Sequence, residues 1–560
     1  MENKTAARTL RLLSQLMELH EVNPFKVKSI ANSAFKVDKL PFKASGKSLA
    51  ELEKIDGIGK STASKLIELF ETGTMAELQE LVDATPPGIV EMLAIKGIGP
   101  KKISIIWRDL GIENVGELYY ACNENRLVEA KGFGLKTQDE IRKVIEFRMA
   151  SSGKFLYAQV EQVAGHLEQH LEKLFPQRKI TLCGEFRRRC EIVNSLCFVI
   201  ESDPDTAIAA LQDSDFLSNV TLVQNTISGD TEHGIKVNIV VEDTDYYKQV
   251  FIQTGNEEHV KAVLALISDA GFKADSEEAV YQKAGLQYIE PELREGADII
   301  AKAKHNELPK LIEFTDLKGT LHNHSTWSDG VNTIEGMALY CRDELKLEYL
   351  GMCDHSRSAF YAKGLSIEQV LQQHEEIDSL NKKLDGFKIF KGIESDILGD
   401  GSLDYPDEIL QRFDFIVASV HSNIKMAEDK ATARLIKAIE NPYTTILGHP
   451  TGRLLLSRNG YPIDHKKVID ACAANNVVIE INANPLRLDM DWRWHQYALD
   501  KGCWLSINPD AHRVEGFLDM HYGTLVARKG GLYKERCLNA LSAEQIKKAF
   551  ESRKAKIATT

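Results

Sequence analysis

The order of hydrophobic and polar positions changes along the chain. Through residues 1–150, leucine and isoleucine recur at helical spacing among lysine and glutamate, and few runs suggest strands. From Leu317 onward, short apolar runs alternate with helical stretches, at residues 349–353, 415–420, 445–447, 477–481 and 504–507. Alternation of this kind is typical of a parallel α/β domain. The sequence therefore predicts helical domains followed by an α/β domain.

Three glycine turns punctuate the helical part. Each reads glycine, apolar residue, glycine, and an amphipathic helix follows. Such a turn directs backbone N–H groups outward at the start of the next helix, where they suit a DNA phosphate. The pattern resembles the helix-hairpin-helix motif of proteins that bind DNA without sequence preference; the alternative is ordinary turns between packed helices. The candidate DNA contacts are Gly57, Gly59, Lys60, Gly97, Gly99, Lys101, Lys102, Gly132, Gly134 and Lys136.

Composition excludes several classes of protein. The chain has 560 residues, 43% of them hydrophobic, which excludes a fibrous or disordered protein. No apolar run approaches the roughly 18 residues of a membrane helix, and the charged N-terminus is unlike a signal peptide. The nine cysteines form no Cys-x-x-Cys pair, which excludes a cysteine-based zinc module and a disulfide framework. We expect a cytoplasmic, nucleoid-associated monomer with no membrane partner.

The net charge of −13 is concentrated in the middle third, because residues 151–316 carry about −12. Affinity for DNA depends on positive charge that neutralises phosphates. The middle third is therefore a poor candidate for gripping DNA over its whole face.

A run of arginines in this middle third carries a second resemblance. Residues 184–189 read Gly-Glu-Phe-Arg-Arg-Arg and precede an apolar, strand-like stretch at residues 196–200. Together with the hairpin repeats, the run resembles the bacterial family X DNA polymerases over residues 1–310. The palm motif of that family is Gly-Ser-x-Arg-Arg, followed by Asp-x-Asp on one strand and a third aspartate on a neighbouring strand. Those carboxylates hold two Mg²⁺ ions that align the triphosphate.

The palm carboxylates are missing from this sequence. When residues 184–188 are aligned with the family motif, Ser195 and Cys197 take the places of the paired aspartates, and Asn238 takes the third. Neutral oxygens bind Mg²⁺ weakly, and a thiol matches a hard cation poorly. Glu185 stands in the place of the family's serine and would repel a triphosphate. The resemblance therefore implies a polymerase fold that adds no nucleotides; the alternative is an active polymerase with unrecognised ligands.

One lysine of the N-terminal part is a candidate for lyase chemistry. The small N-terminal domain of the family sometimes carries a lysine that forms a Schiff base with an abasic sugar. Lys65 falls on that position. The alternative is a solvated lysine on a helix surface, which is the commoner role of such a residue.

Histidines and acidic residues follow the apolar runs of the C-terminal part. Barrel enzymes place their reactive side chains at the carboxyl ends of strands. Residues two apart in a strand face the same side, so His-x-His and Asp-x-His direct both side chains into one site. Imidazole nitrogens with carboxylate oxygens suit Zn²⁺, Mn²⁺ or Fe²⁺. The candidate ligands are His322, His324, Asp329, His355, Glu394, His421, His449, Asp510 and His512.

This pattern resembles the polymerase and histidinol phosphatase (PHP) domain over residues 317–560. The matching stretches are HNHSTWSDG, CDHS, GIESD, SVHS, GHPTGR and PDAH, in that order. The resemblance implies a distorted (β/α)₇ barrel that binds three divalent ions, Mn²⁺ or Zn²⁺ with Fe²⁺ as a further option. It also implies that Glu394 is the bridging carboxylate.

Phosphoester hydrolysis is the chemistry that clustered divalent ions favour, because they lower the pKa of a bound water and stabilise charge on the phosphate. Arg357, Lys363 and Arg453 lie near the motifs and are candidates to hold a flanking phosphate, or are salt-bridged surface residues. We expect a DNA-binding 3′→5′ exonuclease of DNA repair that also processes abasic sites or blocked 3′ ends. The alternative is a small-molecule phosphatase of the histidinol phosphatase type with a vestigial polymerase half.

The expected architecture has six segments. Two are α-helical helix-hairpin-helix domains, at residues 1–80 and 81–150, of which the second is fingers-like. They precede an α+β body, with a degenerate palm at residues 151–245 and a thumb-like part at 246–300. A linker at 301–316 leads to the α/β PHP barrel at 317–560.

Overall fold

The computed structural model describes residues 1–95, 97–128, 130–150, 153–269 and 271–557. The chain divides into two compact units, Met1–Phe147 and Arg148–Thr560. Each unit buries its own set of apolar side chains.

The first unit is helical, as the periodicity predicts. Leu10, Leu13 and Leu16 lie on one face of the first helix and have no exposed surface. Proline occupies the first turn of several helices, where its missing N–H costs no hydrogen bond. The helices are α1 (Asn3–Leu19), α2 (Pro24–Asp38), α3 (Leu49–Glu53), α4 (Lys60–Thr72), α5 (Ala76–Asp83), α6 (Pro87–Met92), α7 (Pro100–Ser104), α8 (Val115–Asn123) and α9 (Leu135–Ala150).

The second unit begins with an α+β part. Its strands are β1 (Phe155–Leu156), β2 (Ile180–Cys183), β3 (Ile192–Val193), β4 (Ser195–Ile200), β5 (Ser218–Val223), β6 (Thr226–Asp230) and β7 (Lys236–Val241). Its helices are α10 (Tyr157–Leu174), α11 (Gly184–Arg187), α12 (Pro204–Gln212), α13 (Tyr246–Thr254), α14 (Glu257–Leu264), α15 (Glu277–Lys283) and α16 (Asp298–Lys304).

A mixed sheet forms the centre of this part. Among the described residues its strand order is β2-β4-β7-β6-β5, and β4 and β7 are parallel neighbours. The apolar side chains Phe198, Ile200 and Ile239 alternate along the two strands and are fully buried. This register fixes which polar residues share the other face of the sheet.

The C-terminal part alternates strands and helices. Its strands are β8 (Gly319–Thr320), β9 (Tyr349–Met352), β10 (Lys388–Asp396), β11 (Phe415–Ser419), β12 (Ile446–Leu447), β13 (Val478–Asn482) and β14 (Leu505–Asn508). Its helices are α17 (Ile334–Asp343), α18 (Ile367–Lys383), α19 (Asp407–Leu410), α20 (Glu428–Ile439), α21 (His465–Asn475), α22 (His495–Asp500), α23 (Met520–Lys529) and α24 (Ala543–Ile557).

Short helical turns join these elements. A π-helical turn spans Ile105–Asp109. The 3₁₀ turns are Ala44–Gly46, Pro291–Leu293, Phe314–Asp316, Phe360–Ala362, Trp492–Trp494, Val514–Asp519, Lys534–Arg536 and Leu538–Ala540.

The C-terminal strands form a parallel, nearly closed barrel. Within the described ranges they lie side by side in chain order, from β8 to β14, and each pairs in parallel with the next. The first and last strands meet just beyond their carboxyl ends, where Asn323 bridges Ala511 and the His324 N–H donates to the Ala511 carbonyl at 2.9 Å. The predicted fold classes are therefore confirmed: helical domains, an α+β body and a (β/α)₇-type barrel.

Candidate metal centre

The predicted ligands converge at one end of the barrel. His322 and His324 follow β8, Glu394 lies within β10, and the remaining ligands lie in loops beyond strand ends. Asp329 comes from the turn after β8 and not from a strand end. All nine side chains are at most 11% exposed, which places their donor atoms in one buried cluster.

The cluster contains three groups of potential metal-binding atoms among the described residues. The first is His324, Asp329, His355 and His512; the second is His322, His324 and Asp510; the third is His355, Glu394 and His421. Within each group the donor atoms all lie within 4.8 Å of one another. His324 and His355 each belong to two groups, so the groups are adjacent and not separate sites.

Glu394 lies at the centre of the cluster. Its Oε1 atom is 3.0 Å from His449 Nε2 and 3.1 Å from His421 Nε2. Its Oε2 atom is 2.9 Å from His355 Nδ1. A carboxylate whose two oxygens face different histidines is positioned to bridge two cations.

The donor set fits divalent cations. Nitrogen and carboxylate oxygen donors suit Zn²⁺, Mn²⁺ and Fe²⁺. The buried atoms His322 Nε2, His324 Nδ1 and Glu394 Oε2 make no hydrogen bond of good geometry in the described part of the chain. Buried polar atoms are nearly always paired, so these atoms indicate ligands for an ion.

Opposite charges inside the cluster shift its pKa values. Burial disfavours the charged form of His322, but the carboxylates of Glu480 and Asp510 outweigh it and hold the pKa of His322 well above its ordinary value. Burial also disfavours a charged Glu394, but His421 and His322 hold the pKa of Glu394 well below its ordinary value. Cations bind neutral imidazole, so binding at these ligands must release protons.

Glu480 supports the cluster, and the sequence analysis did not identify it. It lies on β13 with no exposed surface, and His322 Nδ1 donates to its Oε1 at 2.7 Å. The other carboxylate oxygen accepts the backbone N–H of His449 at 2.8 Å. A carboxylate behind a ligating histidine fixes the ring and raises its basicity. The available signal was an acidic residue inside the apolar run VVIEIN.

We expect Glu480→Gln to weaken metal binding about 10- to 100-fold, the usual effect of removing such a supporting carboxylate. The measurement is the Mn²⁺ concentration that gives half-maximal phosphodiesterase activity. Glu440→Gln, an exposed glutamate at the end of α20, is the matched control. Equal Mn²⁺ dependence in the two variants would contradict this role of Glu480.

Asp354 and Asp396 also support the cluster. Asp354 accepts the backbone N–H and hydroxyl of Ser325 and the side-chain amide of Gln373 at 2.6–2.8 Å, which fixes the loop after β8. Asp396 accepts His421 Nδ1 at 2.6 Å and so orients that ligand. Both residues lie in the CDHS and GIESD stretches, where the sequence alone gave them no role.

The three candidate phosphate contacts have different surroundings. Arg357 is 52% exposed and lies 3.3 Å from Asp404. Lys363 is exposed and has a left-handed backbone, with φ of 56°. Arg453 is 12% exposed, pairs with Asp491 at 2.6 Å and donates to two backbone carbonyls. These contacts favour a loop-positioning role for Arg453, whereas Arg357 and Lys363 face solvent; all three remain predictions.

The palm positions lie where the resemblance implies. Ser195 and Cys197 are on β4, and Cys197 is paired with Asn238 of β7. Asn238 accepts the Ser228 hydroxyl at 2.9 Å. Glu185 accepts both N–H groups of Asn194, at 2.7 and 2.8 Å. Among the described residues, no group of three potential metal ligands lies on this sheet.

The palm arginines are held by two acids, of which Glu277 is buried and Glu295 is partly exposed. Arg187 donates to Glu277 at 2.5 Å and to the Thr254 hydroxyl at 2.8 Å. Arg188 donates to Glu295 at 2.9 Å and to the Thr254 carbonyl at 2.8 Å. Both guanidinium groups of the palm motif are therefore engaged by acids of this chain.

The glycine turns adopt the geometry that the sequence predicts. Gly57, Gly97 and Gly132 have φ values of 84°, 95° and 87°, a region that glycine enters without strain. The apolar residues Ile58 and Ile98 are 2% and 4% exposed and anchor the first two turns. The second glycine of each motif immediately precedes a helix. Lys60 is therefore the first residue of α4, and Lys136 lies in the first turn of α9. Lys101 and Lys102 lie in α7.

The lyase candidate Lys65 is engaged in an ion pair. Its side chain is 17% exposed and lies 2.5 Å from Glu77, which also pairs with Lys26. A lysine attacks a sugar only as the free amine, so the pair must open first. The lyase role remains a prediction.

No described helix has the length and apolar character needed to cross a bilayer.

Comparisons with known proteins match both parts of the chain. Residues 1–75 match the family described as a helix-hairpin-helix domain, and residues 89–146 match the SAM-like helix-hairpin-helix tandem. A protein of Bacillus subtilis (strain 168), named DNA polymerase/3′-5′ exonuclease PolX, is 32% identical over 98% of this chain and 99% of its own length. A probable phosphatase of a Thermoanaerobacter species is 29% identical over 32% of this chain and 74% of its own length. Another, from Caldanaerobacter subterraneus, is 38% identical over 18% of this chain and 39% of its own length.

The similarity to the Bacillus protein runs through the helix-hairpin-helix part, the α+β body and the barrel alike. The phosphatases match only the C-terminal part. The three resemblances drawn from the sequence motifs, to the helix-hairpin-helix motif, the family X polymerases and the PHP domain, are confirmed. The chain belongs to the bacterial family X DNA polymerases that carry a C-terminal PHP domain.

Proposed function

We propose that this protein is a metal-dependent phosphodiesterase that removes nucleotides from DNA 3′ ends, and that its polymerase half adds none. The observation that carries the proposal is the contrast between two sites in one chain. The barrel gathers the predicted ligands in one buried cluster, eight of them in three potential metal-binding groups and His449 beside Glu394, whereas the palm has Ser195, Cys197 and Asn238 where carboxylates are needed. The relative in Bacillus subtilis is named for both activities. Because only the barrel keeps its predicted metal ligands, we infer that only the exonuclease activity is retained.

The barrel ligands suit phosphodiester hydrolysis. Divalent ions held there would supply hydroxide near neutral pH and stabilise charge on the phosphate and the leaving oxygen. The residues of the chain hold those ligands in fixed positions, because Glu480 orients His322 and Asp396 orients His421. Burial of the cluster excludes bulk water and strengthens every charge interaction within it.

DNA binding is proposed for the helix-hairpin-helix turns. Their lysines lie at helix starts, where backbone N–H groups and the helix dipole attract a phosphate. Lys60, Lys101 and Lys136 are exposed. This binding reads the phosphate backbone and not the base sequence. We also propose a role in DNA repair, with processing of abasic sites and blocked 3′ ends.

The palm is proposed to act as a scaffold. The triphosphate would meet Glu185 in the binding turn and no free guanidinium from Arg187 or Arg188, since Glu277 and Glu295 engage them. Asp203, an acid just beyond β4, caps α12 by accepting the Thr206 N–H at 2.9 Å. These contacts argue against an active polymerase with unrecognised ligands.

A second candidate function is a small-molecule phosphatase, which the similarity of the C-terminal part to probable phosphatases favours. A panel of substrates separates the two. With Mn²⁺, we expect the protein to shorten a 5′-labelled DNA strand step by step from its 3′ end, which gives a ladder of products. We expect it to hydrolyse histidinol phosphate with a far lower kcat/KM. Efficient turnover of the phosphomonoester with intact DNA would overturn the nuclease proposal and favour the phosphatase.

A further inference from the structure

An exposed aromatic side chain lies at the mouth of the barrel. Phe360 is 88% exposed, the highest value for a large apolar side chain among the described residues. An isolated exposed apolar residue needs no explanation in itself. Phe360 differs because of its neighbour: the ring of Tyr361 lies 6.1 Å from that of His355 and 6.4 Å from that of His421. The exposed ring is therefore one residue away from contact with two predicted ligands.

The loop that carries Phe360 is tightly anchored. Its flanking residues Ala359 and Ala362 have no exposed surface. Ser358 donates its backbone N–H to Asp404 at 2.7 Å and its hydroxyl to Asp396 at 2.6 Å. Asp396 also accepts His421 Nδ1, so the same carboxylate fixes the loop and a ligand. The exposure of Phe360 therefore results from a fixed loop.

The loop closes by a close backbone approach. The Gly364 N–H donates to the Ala359 carbonyl at 3.0 Å, and a Cβ on Gly364 would lie 1.8 Å from the Ser356 carbonyl oxygen. Only glycine fits at that position. The turn between them presents Phe360 outward, with Arg357 and Lys363 on the same loop.

We propose that Phe360 forms a subsite for a nucleobase of the DNA end bound at the metal centre. An exposed ring shares one short loop with Lys363 and with Arg357, which also pairs with Asp404, and this combination suits a ligand that has a flat aromatic face and negative charge. A nucleotide has both properties, and stacking on an aromatic ring tolerates every base. This inference rests on the proposed function, because it names the part of the substrate that the loop contacts.

The test compares Phe360→Ala with Phe360→Trp in the full-length, Mn²⁺-loaded protein. Phe314→Ala is the matched control, since Phe314 is also exposed, at 41%, and lies at the amino end of the barrel strands. We expect Phe360→Ala to raise KM for a single-stranded oligonucleotide about 5- to 100-fold, the range that loss of base stacking gives. Phe360→Trp and Phe314→Ala should keep the wild-type KM.

A substrate without a base separates stacking from damage to the site. Phe360→Ala should hydrolyse an oligonucleotide with a 3′-terminal tetrahydrofuran residue at the wild-type rate, because that end offers no aromatic base to stack on the ring. It should also lose the wild-type preference for a normal 3′ end over a 3′-terminal tetrahydrofuran residue. An unchanged KM for DNA, or an equal loss on both kinds of substrate, would overturn the subsite.

A binding measurement distinguishes failure of this inference from failure of the nuclease proposal. The probe is an oligonucleotide with a 3′-terminal 2-aminopurine, joined by a phosphorothioate linkage that slows cleavage. Stacking should quench its fluorescence on wild type and much less on Phe360→Ala. If wild type leaves DNA intact, the nuclease proposal fails, yet this difference in quenching still supports the subsite. Equal quenching in both proteins contradicts the subsite, whatever the nuclease result.

Discussion

His322→Ala/His324→Ala is expected to lose at least about 10³-fold of the exonuclease rate and much of the bound metal. His324 belongs to two of the three ligand groups and His322 to one of them. Metal ions supply several kcal/mol of transition-state stabilisation, and about 4 kcal/mol corresponds to 10³-fold in rate. The measurements are the rate of shortening of a labelled strand and the metal content of the purified protein.

The matched control is His374→Ala, because His374 is a buried histidine of the same barrel that packs on Phe413 and is no predicted ligand. The control should keep its metal and its rate at a temperature where it is folded. A double variant that retains the wild-type rate would contradict the assignment of the ligands.

Lys529→Met is expected to lower the free energy of unfolding of the second unit by about 3–5 kcal/mol, the cost of breaking a buried ion pair. Lys529 lies at the end of α23 in the barrel part, and its side chain has no exposed surface. It donates to Glu295 and, at 2.9 Å, to the carbonyl of Arg188. Arg188 pairs with the same Glu295. Removal of the ammonium leaves Glu295, which is 21% exposed, with one partner fewer in a largely buried network.

Differential scanning calorimetry at a fixed scan rate measures this effect. Lys501→Met is the control, because Lys501 pairs with Asp470 at the surface, and exposed pairs contribute about 0–1 kcal/mol. The transition of Lys529→Met should fall by several degrees and that of Lys501→Met by at most about one or two. Equal shifts of the transition temperature in the two variants would show that the contacts of Lys529 with Glu295 and Arg188 do not stabilise the second unit.

The cluster of predicted ligands could be found from the sequence because most of its members lie in short local motifs. His322 and His324 are two residues apart, and Asp510 and His512 repeat the spacing, so strand geometry alone places each pair on one side. The parallel barrel then brings all strand ends to one face. Glu394 was a candidate because it follows an apolar run, and only its bridging role depended on the family resemblance.

The supporting groups were not predictable, because their roles depend on contacts between distant segments. Glu480 meets His322 across 158 residues of chain, and Arg188 meets Glu295 across 107. Neither pair has a spacing that a local pattern reveals. The charged Glu480 inside an apolar strand was the one visible anomaly, since charged residues are rarely buried without a partner.

In the α+β body, too, the sequence revealed local replacements but not contacts between distant segments. The sequence showed which palm carboxylates are missing, because Ser195, Cys197 and Asn238 fall on aligned positions. It did not show that Arg187 and Arg188 are engaged by Glu277 and Glu295. Those acids come from helices and turns that the chain folds back onto the palm.

The central claim is that the barrel cleaves DNA while the palm adds no nucleotides. One assay tests both halves: a 5′-labelled primer-template incubated with Mn²⁺, with and without dNTPs, using wild type and His322→Ala/His324→Ala. We expect wild type to shorten the primer in a ladder in both lanes, and the variant to leave it at its original length in both. Extension of the primer by either protein when dNTPs are present would contradict the account.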